Sequence, residues 1–244
     1  MLVPSPETAG RQDDQGFAVP ATLRRQWDFS RDGILRSVES TLLRTGLDRI
    51  DIFYLHDPDD HFEEASGEGI QTLIDLREQG VIGAVGAGMN QSEALAELIR
   101  VADVDLVMVA GRYTLLEQGA ANDLLPLALE RGVGVVIAGV YNTGLLSKSR
   151  PSADAKYDYE DAPASLISRA NAIADICDRH GVTLPAAALA FPLLHPAVTS
   201  VVIGMRDRAQ VESNIARYSG EIPDELWVEL RTASLLPDLP TLSR

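Results

Sequence analysis

The hydrophobic pattern of the chain alternates between short apolar runs and amphipathic stretches of helical period. Ile50, Ile52, Phe53, Tyr54 and Leu55 lie close together, which suits a strand buried on both faces, as in a parallel sheet. Upstream, Ile34, Val38 and Leu42 recur at helical spacing behind Ser30, a good N-cap, with Asp32 in the first turn and Gly46 at the end. Downstream, Ile70, Leu73 and Ile74 predict a helix stopped by Gly80, and Val81–Ala87 predicts a small-residue strand running into Gly88-Met89-Asn90. A helical face at Leu95, Leu98 and Ile99 leads to a strand at Leu106–Ala110. Another, at Leu124, Leu125, Ala128 and Leu129, leads to a strand at Val133–Ala138. Residues 145–162 read as irregular. A long helix follows from Pro163 to Gly181, a second begins at Pro185, and Thr199–Ile203 is the last strand. Asp207 caps a helix through Val211 and Ile215, and Leu226, Trp227 and Leu230 mark a terminal one.

Alternating strand and helix implies an α/β fold with a parallel sheet and helices outside it. No Gly-x-Gly-x-x-Gly opens a helix, which disfavours a dinucleotide-binding doubly wound sheet. Glycines instead follow several strand ends, as in a (β/α) barrel whose strand-end loops admit a ligand closely. Five strands and a fragment at residues 1–4 fall about two units short of an eight-unit barrel. The expectation is an incomplete (β/α)8 TIM barrel lacking its first two β/α units. It would form one domain over residues 1–244, with 6–29 a long loop. The fragment 1–4 and the last strand would be its unpaired edges.

Composition narrows the partners. Apolar content of 45% and charged content of 23% are globular values. A formal charge of −15, spread along the chain, argues against a nucleic-acid or anionic-membrane footprint and for a small or neutral partner. Cys177 is the single cysteine and lies in an apolar helical pattern; it reads as core, and a chain with no possible internal disulfide suits a reducing cytoplasm. No apolar run reaches the ~18 residues of a membrane span, and Met1-Leu2-Val3-Pro4 lacks the features of a signal peptide. A soluble, cytoplasmic protein is expected.

The candidate chemistry begins where the run 50–55 stops, at His56 followed by Asp57-Pro58-Asp59-Asp60-His61. Carboxyl ends of parallel strands are where ligands are held, so His56 is a functional candidate. These residue types also form caps and turns readily. The cluster can be read as a metal site of a metal-assisted hydrolase, but it has no standard ligand spacing and no metal ligand is assigned.

The segments DGILRSVESTLLRTGLDRIDIFYLHDPDD, GVIGAVGAGMNQ, VMVAGRYTLL, NTGLL and SVVIGMRDRAQVESN, in that order, resemble the aldo/keto reductase superfamily, and within it the sugar-oxidising, aldose 1-dehydrogenase branch. The resemblance implies a (β/α)8 barrel that binds NAD or NADP at its C-terminal face. Hydride would pass between nicotinamide C4 and an aldose C1 or another carbonyl carbon of a small molecule. His56 matches the histidine that orients the substrate oxygen. Asn90 matches the asparagine that hydrogen-bonds the nicotinamide carboxamide, and Tyr141 lies near the aromatic that stacks on that ring, although GVYNTGLL stands where the branch usually has proline-phenylalanine. Asn142, Gly144 and Leu145 fall in the pyrophosphate loop. Gly204, Met205 and Arg206 fall where the adenosine ribose and any 2′-phosphate are held, and Asn214 matches the adenine-contacting asparagine. Gly204 replaces a frequent lysine and favours NAD slightly, while Arg206 can restore NADP. Trp27 is a candidate apolar wall on the substrate side.

One departure matters. The branch's catalytic aspartate, tyrosine and lysine lie before the position matched by Met1, and none of Tyr54, Tyr113, Tyr141, Tyr157, Tyr159 or Tyr218 takes the catalytic tyrosine's place. The expectation is therefore an oxidoreductase that is inactive or impaired as this truncated chain. The alternative is a catalytically dead remnant that binds nicotinamide nucleotides. Oligomeric state is not indicated.

Overall fold

The elements follow the apolar pattern closely. In the computed structural model, which describes residues 1–13, 18–158 and 160–237, the chain opens with β1 (Leu2–Pro4) and β2 (Leu23–Arg25), then α1 (Arg31–Thr45) and β3 (Ile50–His56). A single turn, α2 (Phe62–Glu64), continues through a wider π turn into α3 (Ile70–Glu78). Next come β4 (Ile82–Met89), α4 (Ser92–Val101), β5 (Leu106–Ala110), α5 (Leu124–Arg131) and β6 (Gly134–Ala138). A small hairpin, β7 (Lys156–Tyr157) and β8 (Glu160–Asp161), precedes α6 (Ala164–Arg179), α7 (Leu184–Ala190), β9 (Val198–Val202), α8 (Arg208–Ser219) and α9 (Asp224–Thr232). Five strands form one parallel sheet in the order β3-β4-β5-β6-β9, an α/β arrangement of the TIM-barrel kind. Contacts divide the chain into two compact units, residues 1–53 with 60–83, and residues 54–59 with 84–244.

In the first unit, β1 and β2 pair antiparallel, Leu2 opposite Arg25 and Pro4 opposite Leu23. The fragment 1–4 is therefore not an unpaired edge. Its partner comes from within the stretch 6–29, which holds a 3-10 turn at Pro6–Thr8 as well as β2 and so is more than a loop; residues 14–17 of that stretch lie outside the described residues. The physical reason is local: a short antiparallel ribbon satisfies backbone groups that a lone edge would leave open. α1 starts where Ser30 Oγ accepts from the Gly33 N–H at 3.2 Å and ends at Gly46 in a left-handed conformation, which a glycine adopts without a Cβ penalty. Trp27 is not fully packed. Its ring lies 6.2 Å from Phe29 and 6.0 Å from His61, with Phe29 buried and Trp27 exposed.

In the second unit, β5 and β6 run in register from Leu106 opposite Gly134 to Ala110 opposite Ala138, and β9 follows β6 with a shift at Val135/Val136. Helices cover the sheet largely with the faces their spacing predicts, although Leu129 of α5 is 49% exposed. Leu95, Leu98 and Ile99 of α4 and Leu124, Leu125 and Ala128 of α5 are buried, as are Ile173 and Cys177 of α6 and Leu226, Trp227 and Leu230 of α9. Each fully buried leucine is worth about 1.5–3 kcal/mol over leaving it exposed. Burial pushes the Cys177 thiol up to about 12. Residues 145–162 are not wholly irregular, since they contain the β7–β8 hairpin, held down where the Tyr157 hydroxyl donates to Glu117 at 3.0 Å. α8 also departs from its pattern: Ile215 is 60% exposed, while Asn214 beside it is buried. Among the described residues no helix is long and apolar enough to cross a membrane.

Candidate functional site

The chain leaves β6 through Gly139, Val140, Tyr141, Asn142, Thr143 and Gly144, a turn in which residues 139, 142, 143 and 144 all have positive φ. The loop is knitted by its own backbone: Asn142 N–H donates to Gly139 O at 2.9 Å, Gly144 N–H to Tyr141 O at 3.0 Å, and Leu146 N–H to Tyr141 O at 3.0 Å. Facing it is the segment that leaves β9, Val202 to Arg206, followed by α8. Asp207 caps α8 by accepting from the Gln210 N–H at 2.8 Å, and Gln210 Oε1 in turn accepts from the Arg206 N–H at 3.0 Å. Loop and helix enclose a cleft of about 910 Å³.

Seven of the ten residues singled out from the sequence line this cleft: Tyr141, Asn142, Gly144, Gly204, Met205, Arg206 and Asn214. The other three do not. Leu145 is buried beneath the loop and borders a separate recess of about 170 Å³ with Lys148 and Lys156. Asn90 follows β4 and is exposed. His56 ends β3 with its side chain 83% exposed and Nε2 3.5 Å from Asp57 Oδ2. Asp57 takes a left-handed conformation there, and its N–H donates to Gly88 O at the end of β4 at 2.9 Å.

The chemistry of the cleft is that of an anion site. Arg206 and Arg217 line it, and none of its described lining residues is an aspartate or glutamate, in a chain of net charge −15. Two side chains are notable. Asn142 is 3% exposed, and neither atom of its carboxamide has a hydrogen-bond partner among the described residues, which costs about 1–3 kcal/mol per buried group left unpaired. Asn214 accepts two bonds at Oδ1, from the Tyr141 hydroxyl and from Arg217 Nη1, each at 2.9 Å. Tyr141 and Asn214 are assigned by resemblance to opposite ends of an extended dinucleotide, yet they touch; one extended ligand cannot place both its rings at that contact.

Arg217 was not legible as a site residue, because an arginine on an exposed-looking helix reads as a solvated face. Its only sequence signal is its spacing of three from Asn214, which puts both on one side of α8. In the acidic run after His56, no three histidine, cysteine or carboxylate groups converge among the described residues, and His61 lies tilted against Phe29 with ring centres 5.7 Å apart. Tyr159 lies outside the described residues.

Over most of its length the chain is similar to known proteins. The model of the Aldo/keto reductase family matches residues 22–234. A D-threo-aldose 1-dehydrogenase from a Pseudomonas species is 46% identical over 240 residues, 97% of this chain and 73% of that protein. A pyridoxal 4-dehydrogenase from Microbacterium luteolum is 39% identical over 91% of this chain and 68% of its own length. Among solved structures, an aldo-keto reductase from Bacillus halodurans in its holo form superimposes with a TM-score of 0.71 at 23% identity, over 89% of this chain and 71% of that one. A glycerol dehydrogenase from Gluconobacter oxydans gives 0.71 at 21% identity, over 96% and 72%.

Proposed function

The chain belongs to the aldo/keto reductase family, and from that premise we propose that its cleft holds a nicotinamide dinucleotide for oxidation of an aldose at C1 or the reverse reduction of a carbonyl. The observation that carries the reading is the cleft itself, which joins the loop after β6 to α8 and gathers two guanidiniums without a carboxylate in an acidic chain. Guanidiniums match phosphate oxygens in charge and geometry. The orphaned Asn142 carboxamide fits the same ligand, since a buried donor and acceptor without partners are what an arriving polar group would satisfy. The 46% identity to a protein named for its action on D-threo-aldoses favours a sugar as substrate.

When bound, the nicotinamide exchanges hydride with the substrate carbon. The protein's part is binding and orientation. Arg206 and Arg217 draw the phosphates, and the left-handed turn 142–144 lets the backbone approach them. His56, at a strand end and exposed, would hydrogen-bond the reacting oxygen. Gly204 favours NAD by leaving out a cation, and Arg206 supports NADP; the absence of a carboxylate from the lining adds weight to a phosphate at the ribose.

A second reading, a catalytically dead remnant that binds nicotinamide nucleotides, is favoured by the tyrosines. Tyr113 is fully buried, and burial pushes its hydroxyl and that of Tyr54 up. Tyr141 and Tyr157 are committed to Asn214 and Glu117. Among the described residues these four hydroxyls are buried, half-buried or hydrogen-bonded elsewhere, which favours binding without proton transfer. Fluorescence titration with NADH and NADPH, combined with absorbance assays of NAD⁺ and NADP⁺ reduction by L-fucose and D-arabinose, separates the readings. Binding with turnover supports the dehydrogenase, and binding without turnover supports the remnant. No binding of either nucleotide overturns both.

A further inference from the structure

Five sulfur atoms occur in the chain, one in Cys177 and four in methionines, and packing treats them unequally. Cys177 is fully buried, and burial pushes its thiol up to about 12, so the thiolate that reacts with oxidants is scarce near neutral pH. Met89 is buried at the end of β4, and Met108 is half-buried within β5. Met1 is exposed at the start of the chain. Met205 is 45% exposed and lines the cleft between Gly204 and Arg206. A Cβ built on Gly204 would meet nothing within 4 Å, so the backbone beside Met205 stands clear of its neighbours. Of the five, Met205 alone is both open to solvent and set in the described wall of the cleft.

We propose that Met205 is a reversible oxidation site through which hydroperoxides lower the affinity of the cleft for its anionic ligand. The inference rests on the dinucleotide reading of the cleft and adds a control on that site. A lone pair of the thioether sulfur attacks one peroxide oxygen, the S–O bond forms as the O–O bond breaks, and the other oxygen leaves, as water when the peroxide is hydrogen peroxide. Sulfur loses two electrons and the peroxide gains them, leaving a methionine sulfoxide. The consequence is electrostatic. A thioether is a weak acceptor, whereas the sulfoxide oxygen carries partial negative charge and makes the side chain polar. Arg206 and Arg217 line the same cleft, and Arg217 already gives Nη1 to Asn214 at 2.9 Å. A sulfoxide oxygen in that wall takes up guanidinium donors that an arriving phosphate would otherwise receive, and it repels the phosphate.

The test treats the whole chain with hydrogen peroxide, follows each methionine by peptide mass spectrometry, and titrates ADP calorimetrically before and after treatment. Met205 should gain one oxygen well before Met89 and Met108. ADP should then bind about tenfold more weakly, the scale of one lost hydrogen bond. Incubation with methionine sulfoxide reductases for both epimers should restore the affinity. Met205→Leu keeps an apolar side chain without sulfur, so its ADP affinities with and without peroxide should agree, although Met1 still oxidises. Oxidation of Met205 no faster than of Met89, unchanged ADP affinity in the oxidised protein, or an equal loss in Met205→Leu overturns the inference while the dinucleotide reading stands. If the untreated protein does not bind ADP, both fall.

Discussion

At His195 the backbone N–H of Ala197 donates to Nδ1 at 3.2 Å, which puts the proton of the neutral ring on Nε2. The ring is 4% exposed and meets Tyr113 edge-on at 5.9 Å and 80°, and burial holds its pKa below the ordinary histidine value. The sign follows directly. Below about pH 6.5 the unfolded chain takes up a proton that the native ring refuses, so stability is complete above that value and falls with pH, by at most about 1.4 kcal/mol per unit, until the native ring also protonates. Urea titrations from pH 7 to pH 5 should show this loss. His195→Asn retains an acceptor for Ala197 but does not titrate, and its stability should fall less over the same range; an equal fall would place the acid sensitivity elsewhere. In LLHPAV nothing marks His195 as core, because its burial depends on Tyr113, more than 80 positions upstream. Asn142, Gly204, Arg206 and Asn214 are singled out in the sequence by the resemblance of the segments NTGLL and SVVIGMRDRAQVESN to a known family, and all four line the cleft. The Tyr141–Asn214 bond was not legible, since it joins two segments that the sequence does not align.

β4 shows what the elements can and cannot disclose. Its small residues predicted a strand, and the structure supplies the reason: a Cβ built on Gly86 would stand 1.7 Å from Leu106 O in β5. The neighbouring backbone occupies the place of a side chain, and the ladder is locally completed by Asp105, whose Oδ2 accepts from the Val85 N–H at 2.8 Å. Gly86→Ala must therefore push β5 away, and a loss of about 3 kcal/mol is expected in chemical denaturation. A loss below about 1 kcal/mol would mean the strands separate with little resistance. Periodicity located β4 to β6 and their helices to within a residue or two because each buries a repeating face. β3 was located by its apolar run, yet it is not buried on both faces, since only Leu55 is buried and Ile52 is 47% exposed. Periodicity could not show β1 pairing with β2, since a three-residue strand ending in Pro4 has no period and its partner lies in a stretch that has none either. Nor could it show that α8 turns Asn214 inward and Ile215 out. The apolar residues of that helix suggested the opposite, and the hydrogen bonds from Tyr141 and Arg217 decide it.

The whole molecule opposes its own cleft electrostatically. On the dinucleotide reading of the cleft, the formal charge of −15 would repel the anionic ligand at long range, while Arg206 and Arg217 would attract it only once it had arrived. Screening separates these effects by distance. Raising ionic strength from about 0.01 M to about 0.15 M shortens the Debye length from roughly 30 Å to roughly 8 Å, which removes most of the distant repulsion and less of the contact attraction. The association rate of NADPH, followed by stopped-flow fluorescence, should therefore rise with salt over that range, against the usual fall for a charged ligand meeting a site of opposite sign. The dissociation rate should rise as well, because the guanidinium–phosphate contacts weaken. Arg206→Ala should raise dissociation at low salt and flatten its salt dependence, without reversing the trend in association. An association rate that falls with salt would show instead that the two arginines govern the approach as well as the bound state.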